Sequence, residues 1–289
     1  MGLRLAVTAT LALGGCAGGD PAGGSEPVDI PSLSEHDADD DDSAGPAIDD
    51  AIDDDDAIDD DDAIDDDDAI DDDDAAGPCP PEMAEVGAFC VDRYEGALQE
   101  WDGVGWVDAE PWYLVGSRTV RAVPAEGVPP QAYLSGDEAA AACAEAGKRL
   151  CRTDEWLEAC EGSTGRLYPY GDAYDPAACN DTYGGGHPVI DFFGSSDVWD
   201  REYMNDPGIN QQPGTLAAGG EFAGCVTPEG VHDLHGNLHE WVDDATGVFR
   251  GGFYADAVLN GPGCSYRTTA HATSYHDYST GFRCCRDAD

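Results

Sequence analysis

The residues of this 289-residue chain with chemistry to offer are eleven cysteines, three closely spaced histidines and a few carboxylates between them. Ten of the cysteines lie between Cys79 and Cys285. An even count in an exported chain points to disulfides. The alternative is zinc, but the one close pair, Cys284-Cys285, has the wrong spacing for a zinc knuckle. Cys79 and Cys90 are near enough to form a local staple. Spacing alone does not pair the others. His232, His235 and His239 stand three and four residues apart, and on a helix that spacing would gather them for a transition metal. His271 and His276, near Tyr275 and Asp277, could line a pocket; surface polar residues are the plainer reading.

The elements that must hold these residues are short. Ser135 followed three residues later by Glu138 is a capping box, so a helix runs through 139–146 and stops at Gly147. A second capped helix runs from Thr153 to Cys160. Residues 86–94 have the mixed apolar content of a strand, residues 168–172 form a turn, and 241–242 and 248–250 read as short strands around Thr246-Gly247. From Gly162 to Gly230 no long periodic element is visible, which predicts ordered loops pinned by disulfides or ions. Residues 79–289 are long enough for one core. They describe a disulfide-rich, loop-heavy α+β domain.

What precedes that domain is different material. Residues 1–15 run from Arg4 through an apolar stretch to Leu13-Gly14-Gly15, a secretory signal too short to span a bilayer as a helix. With Cys16 they resemble a bacterial lipobox, which implies lipid modification of Cys16, a membrane anchor made of acyl chains, and a place in the cell envelope, at the outer membrane or cell surface. Residues 16–78 are an Asp-rich tether in which Ala-Ile-Asp-Asp-Asp-Asp repeats four times over 51–74. The six-residue period fits neither helix nor strand, and adjacent Asp residues repel, so the segment is expected to be disordered and extended. Calcium loops alternate their Asp residues around a Gly, and this repeat does not. The chain carries a formal charge of −48, of which 23 Asp fall in residues 37–74. From Cys79 on there are still 34 acidic against 12 basic residues. Phosphate contacts need clustered Lys and Arg, so no nucleic-acid partner is expected.

Seven segments in order carry a family resemblance: Cys90-Val91-Asp92-Arg93-Tyr94-Glu95; residues 139–150, ending Gly147-Lys148-Arg149-Leu150; Thr153-Asp154-Glu155-Trp156; residues 167–172; residues 230–242, ending His239-Glu240-Trp241-Val242; Arg250-Gly251-Gly252; and Gly281-Phe282-Arg283-Cys284. Together they span nearly all of 79–289 and resemble the formylglycine-generating enzymes, or sulfatase-modifying factors. The resemblance implies a variant of the C-type lectin fold, with small twisted sheets, two helices and much irregular structure. It implies the disulfides Cys143–Cys284 and Cys160–Cys264; for the latter the family's partner position is Thr268 here, and Cys264 is the nearest substitute. Cys151, Cys179, Cys225 and Cys285 then form two further bonds in an open order. It also implies calcium, a hard ion suited to oxygen ligands, held by the side chains of Asp233 and Glu240 and the carbonyls of Gly236 and Leu238. A second site begins at Asn180 and the carbonyl of Asp181. Because the family keeps the 233–240 segment irregular, the three histidines lose the helical geometry a transition metal would need.

Active relatives follow Arg-Gly-Gly-Ser with two cysteines five residues apart, whose thiolates hold Cu(I), a soft ion. The copper activates O₂ to oxidise a substrate cysteine to formylglycine. In this chain Asp256 stands where the first cysteine belongs, and Cys264 is displaced by about two residues from the second. One thiolate beside a carboxylate is a poor Cu(I) site. The expected function is therefore a non-catalytic, calcium-stabilised binding or scaffold module on a lipid-anchored exported protein, with a protein or glycan ligand at the cell envelope. The alternative is a copper-dependent oxidase in sulfatase maturation; copper belongs to that alternative alone.

Overall fold

A computed structural model describes residues 77–269 and 271–289. The expected signal at 1–15, the lipidation residue Cys16 and the Asp-rich repeats lie outside the described residues. Two strands, β1 (Met83–Val86) and β2 (Phe89–Asp92), form an antiparallel hairpin. The single strand expected over 86–94 is broken because Gly87 turns the chain at φ +58°, and a Cβ there would meet Glu158 Oε1 at 2.6 Å. β3 (Gly96–Trp101), β4 (Trp106–Asp108) and β5 (Val120–Pro124) make a three-stranded sheet with β3 in the centre. Its tight turn is fixed by Asp102, whose Oδ1 accepts the N–H groups of Val104 and Gly105, both at 2.8 Å.

Helix α1 (Gly136–Glu145) starts at Ser135 with the expected capping box, and its buried face packs on β5 through Ala139, Ala142, Val120 and Ala122. β6 (Arg149–Leu150) leads into α2 (Thr153–Glu161). At the start of α2, Glu155 accepts the backbone N–H of Arg152 at 2.8 Å, so a carboxylate satisfies the chain entry where a Thr cap was expected. The next 70 or so residues hold only α3 (Pro188–Phe193), α4 (Arg201–Met204) and a 3-10 turn at Ile209–Gln211 among described helices and strands. Regular structure returns as β7 (His239–Trp241), β8 (Phe249–Arg250), β9 (Arg267–Thr268), β10 (Thr280–Phe282) and β11 (Cys284–Asp287).

Two further sheets result, ordered β1-β2-β11-β6 and β10-β7-β8-β9. Only Arg283 separates β10 from β11, so one residue crosses from the second sheet to the first. Trp156 and Trp241 are fully buried in the two largest core clusters. Five disulfides lace the domain. Cys79–Cys90, Cys143–Cys284 and Cys160–Cys264 join the residues anticipated above. Cys151–Cys285 and Cys179–Cys225 resolve the order that spacing left open. No described helix is long and apolar enough to cross a membrane.

Candidate functional site

The segment 233–240 passes between the long loops and β7, and its backbone takes unusual turns. Asp233, Gly236 and Asn237 all have positive φ, +61°, +82° and +55°. Only Gly fits at 236, because a Cβ would stand 2.2 Å from the Asn180 carbonyl oxygen. Asn237 offsets its own strain with four side-chain bonds. Its amide donates to Glu95 and to the Ala217 carbonyl, and its oxygen accepts from Asn180 Nδ2 (2.9 Å) and Ala217 N (3.0 Å). Glu95 also accepts the Leu238 N–H at 3.0 Å.

Glu240 is the centre of an ion-pair hub. Arg283 grips it in bidentate fashion, Nη2 to Oε1 and Nε to Oε2, both at 2.7 Å, and Trp156 Nε1 donates to Oε2 at 2.8 Å. The guanidinium then reaches the carbonyls of Asp92 (3.0 Å) and His232 (2.8 Å). Such a fork matches a carboxylate in both geometry and charge. Both partners are fully buried. Burial works against the Arg283 charge, but Glu240, Glu95 and Asp233 raise its pKa above the ordinary value. The other two carboxyls gain less. Burial, then the charges of Asp233 and Glu240, push Glu95 well above the usual carboxylate range. Burial pushes Asp233 up to about 6, against the Gly220 N–H it accepts at 2.8 Å and the charge of Arg283.

This geometry bears on calcium. Of the set Asp233, Gly236, Leu238 and Glu240, the Glu240 carboxylate does not fit the ion as it stands, since both its oxygens serve Arg283. Moving it to a calcium ion would leave a buried guanidinium without its counter-ion, which is costly. At the second expected site Asn180 Nδ2 donates to Thr215 O and Asn237 Oδ1, and no described bond engages the Asn180 side-chain oxygen or the Asp181 carbonyl. Among the described residues no group of three His, Cys, Asp or Glu is placed to hold a metal.

The three histidines part company. His232 stacks on Tyr94, His235 faces Asp181 with Tyr168 edge-on, and His239 sits among Phe249, Phe253 and Tyr266. Burial, with a smaller contribution from His271, pulls His239 down to about 3, so its ring is neutral. His271 stacks on Tyr275, whereas His276 bonds Asn205.

The loop 251–266 holds Asp256 and Cys264. Asp256 closes its own turn: Oδ1 accepts Val258 N (3.1 Å) and Leu259 N (2.9 Å), and Oδ2 accepts the Tyr266 hydroxyl. Cys264 is bonded to Cys160. All ten described cysteines are paired, so no thiolate is present at this loop and a two-thiolate copper site does not fit it. Glu95 is the residue that the sequence did not mark. It lies 143 positions from the amide that it binds, and no local pattern points to it.

The domain is loop-rich and α+β, with three small sheets, five disulfides and a buried bidentate Arg–Glu pair. The family's sequence profile, described as the sulfatase-modifying factor enzyme 1-like domain, matches residues 66–288, and the chain belongs to that family. A curated bovine (Bos taurus) relative, "Inactive C-alpha-formylglycine-generating enzyme 2", is 28% identical over 175 residues, 55% of this chain and 50% of that one. The chain thus spans about half the length of that relative. Among solved structures, PvdO from Pseudomonas aeruginosa is 17% identical with a TM-score of 0.43, covering 69% of this chain and 80% of its own. CarF is 17% identical with a TM-score of 0.40, covering 70% and 87%.

Proposed function

We propose that this chain is a non-catalytic binding or scaffold module of the sulfatase-modifying-factor family, exported and held at the cell envelope through lipid on Cys16, with a protein or glycan as its ligand. The observation that carries the reading is the Cys160–Cys264 disulfide. It occupies the one sulfur of the 251–266 loop, while Asp256, standing in place of the other, is folded into its own turn. Without a pair of thiolates, the soft ion that relatives use to activate oxygen has nothing to hold it. The relative named as inactive supports the same direction.

The test is direct. Purified full-length protein is loaded with copper and offered a cysteine-containing sulfatase peptide, with the aldehyde read by mass spectrometry and free thiols counted by alkylation. No aldehyde and no free thiol are expected from the domain. Aldehyde formation would overturn the reading in favour of the oxidase. Anchoring is tested by labelled fatty-acid incorporation, expected in the wild type and lost in Cys16→Ser. Calcium enters this proposal as a stabiliser of residues 180–181 and 233–240 that has to displace the Arg283–Glu240 pair. A melting temperature that rises and saturates with calcium supports the ion; an unchanged one leaves the Arg283 hub as the clamp of this segment.

A further inference from the structure

Arg250 lies on β8 directly between Glu240 of β7 and Arg267 of β9. Residues paired across strands share a face, so the three side chains leave the sheet on the same side. Directly opposed side chains have Cβ atoms about 5 Å apart, and like charges placed so are destabilising. Two adjacent arginines are unexpected here, because carboxylates are abundant. The chain has 61 acidic and 13 basic residues, and seven of the other described cations have a carboxylate partner.

Glu240 bonds Arg283 and Trp156, and no described bond joins it to Arg250. Arg250 is 5% exposed, and its Nε has no hydrogen-bond partner among the described residues. The Trp156 ring lies 5.9 Å from its guanidinium carbon, a cation–π contact at the edge of its range that leaves the Nε–H unpaired. Glu161 and Asp244 act on it only through space, and Asp244 Oδ1 is already bonded by Thr246. Burial first, then Arg267, lower the Arg250 pKa from its ordinary value, the mark of a cation short of counter-charge. Arg267 is exposed at the end of the same row. A buried guanidinium without a partner is costly, and a second one beside it adds to the cost.

We propose that Arg250 and Arg267 form a binding site for a small oxyanion, a carboxylate, phosphate or sulfate group, at the base of the 251–266 loop. A guanidinium fork suits such a group, and Arg250 and Arg267 place two of them at paired positions of adjacent strands. The surrounding domain, with 34 acidic and 12 basic residues from Cys79 on, repels an extended polyanion, so the ligand is a single charged group and not a nucleic acid. The site does not depend on whether the loop retains any oxidation chemistry.

The test uses the full-length protein at constant ionic strength, with sulfate, phosphate and acetate each exchanged for chloride. Binding is read by calorimetry and by the Nε–H resonances of the arginines. At least one anion is expected to saturate and to shift the Arg250 resonance. Acetate alone assigns a carboxylate, and sulfate or phosphate alone a tetrahedral group. Arg267→Gln, at an exposed position, should weaken binding by about tenfold or more, as expected for one charge-assisted pair. Arg250→Lys, which loses the fork, should weaken it further. Arg201→Gln, a cation elsewhere, should leave it unchanged. No saturation, or equal affinity in Arg267→Gln and wild type, would overturn the proposal; Arg267→Gln decides the matter even where Arg250→Lys fails to fold.

Discussion

Asp233→Asn should stabilise the domain at neutral pH, an unusual direction for a substitution at a buried position. Asp233 is 5% exposed and its carboxyl is pushed from 3.8 up to about 6, chiefly by burial. Such a rise corresponds to roughly 3 kcal/mol of opposition to folding once the group is ionised in both states. Below about pH 3 the side chain is protonated folded or unfolded, and it opposes nothing. As pH rises toward 6 the unfolded chain ionises first, and the folded state loses ground. Above 6 the full penalty applies. Asn is neutral throughout, and its oxygen can still accept the Gly220 N–H. The difference between variant and wild type should therefore be near zero at pH 3 and approach about 3 kcal/mol in favour of the variant at pH 7.5. For a domain of this size that is a rise of roughly 6–12 °C in Tm. Urea titrations at several pH values, each with calcium and with EDTA, measure it. A variant less stable than wild type at pH 7.5, or a difference that ignores pH, would refute the reasoning. Destabilisation confined to the calcium series would identify Asp233 as a ligand.

Three other outcomes follow from the same geometry. Glu240→Gln leaves the fully buried Arg283 without its counter-ion and should cost about 3–5 kcal/mol, seen as an early midpoint in urea. Cys264→Ser opens a cross-link between residues 104 apart, which should lower stability by about 5 kcal/mol on the chain-entropy account and expose one thiol at Cys160, countable by alkylation, without conferring oxidase activity. His239, pulled down to about 3, should show imidazole nitrogen shifts that stay flat from pH 8 to pH 5, where an ordinary histidine titrates; a midpoint near 6.5 would mean that its aromatic enclosure is open to water.

What could be read from the sequence was what local chemistry decides. Ser135 and Glu138 are three residues apart and cap α1 by themselves. The order of the seven family segments indicated the domain and the roles of Cys143, Cys160, Cys264 and Cys284. Strand β3 and its sheet went unread, although Asp102-Gly103 between Trp101 and Trp106 is a hairpin signal, and Leu98, Val120 and Ala122 alternate inward on β3 and β5. Non-local facts stayed hidden for a physical reason. The bond from Glu95 to Leu238 and the pairing Cys151–Cys285 join residues 143 and 134 positions apart, and only the packed core decides them. The family resemblance, not a local pattern, put Glu240 among calcium ligands, and no local pattern showed that the same carboxylate is the counter-ion of Arg283.

The cross-links make that hub hard to rearrange. Cys284 and Cys285 follow Arg283 immediately and are tied to α1 and to the β6–α2 junction, so the guanidinium cannot withdraw without dragging two disulfides. Cys160 lies on the same α2 that presents Trp156 to Glu240, and it pins Cys264 at the far end of the 251–266 loop. Freeing Cys264 as a thiol therefore loosens the helix that completes the hub. In an oxidising compartment the bonded form is favoured, and the same bond that removes the thiol fixes the chain three residues before Arg267, on the strand paired with that of Arg250. A loop anchored at both ends in this way is suited to presenting a fixed binding surface, because little conformational entropy remains to be lost when a ligand arrives.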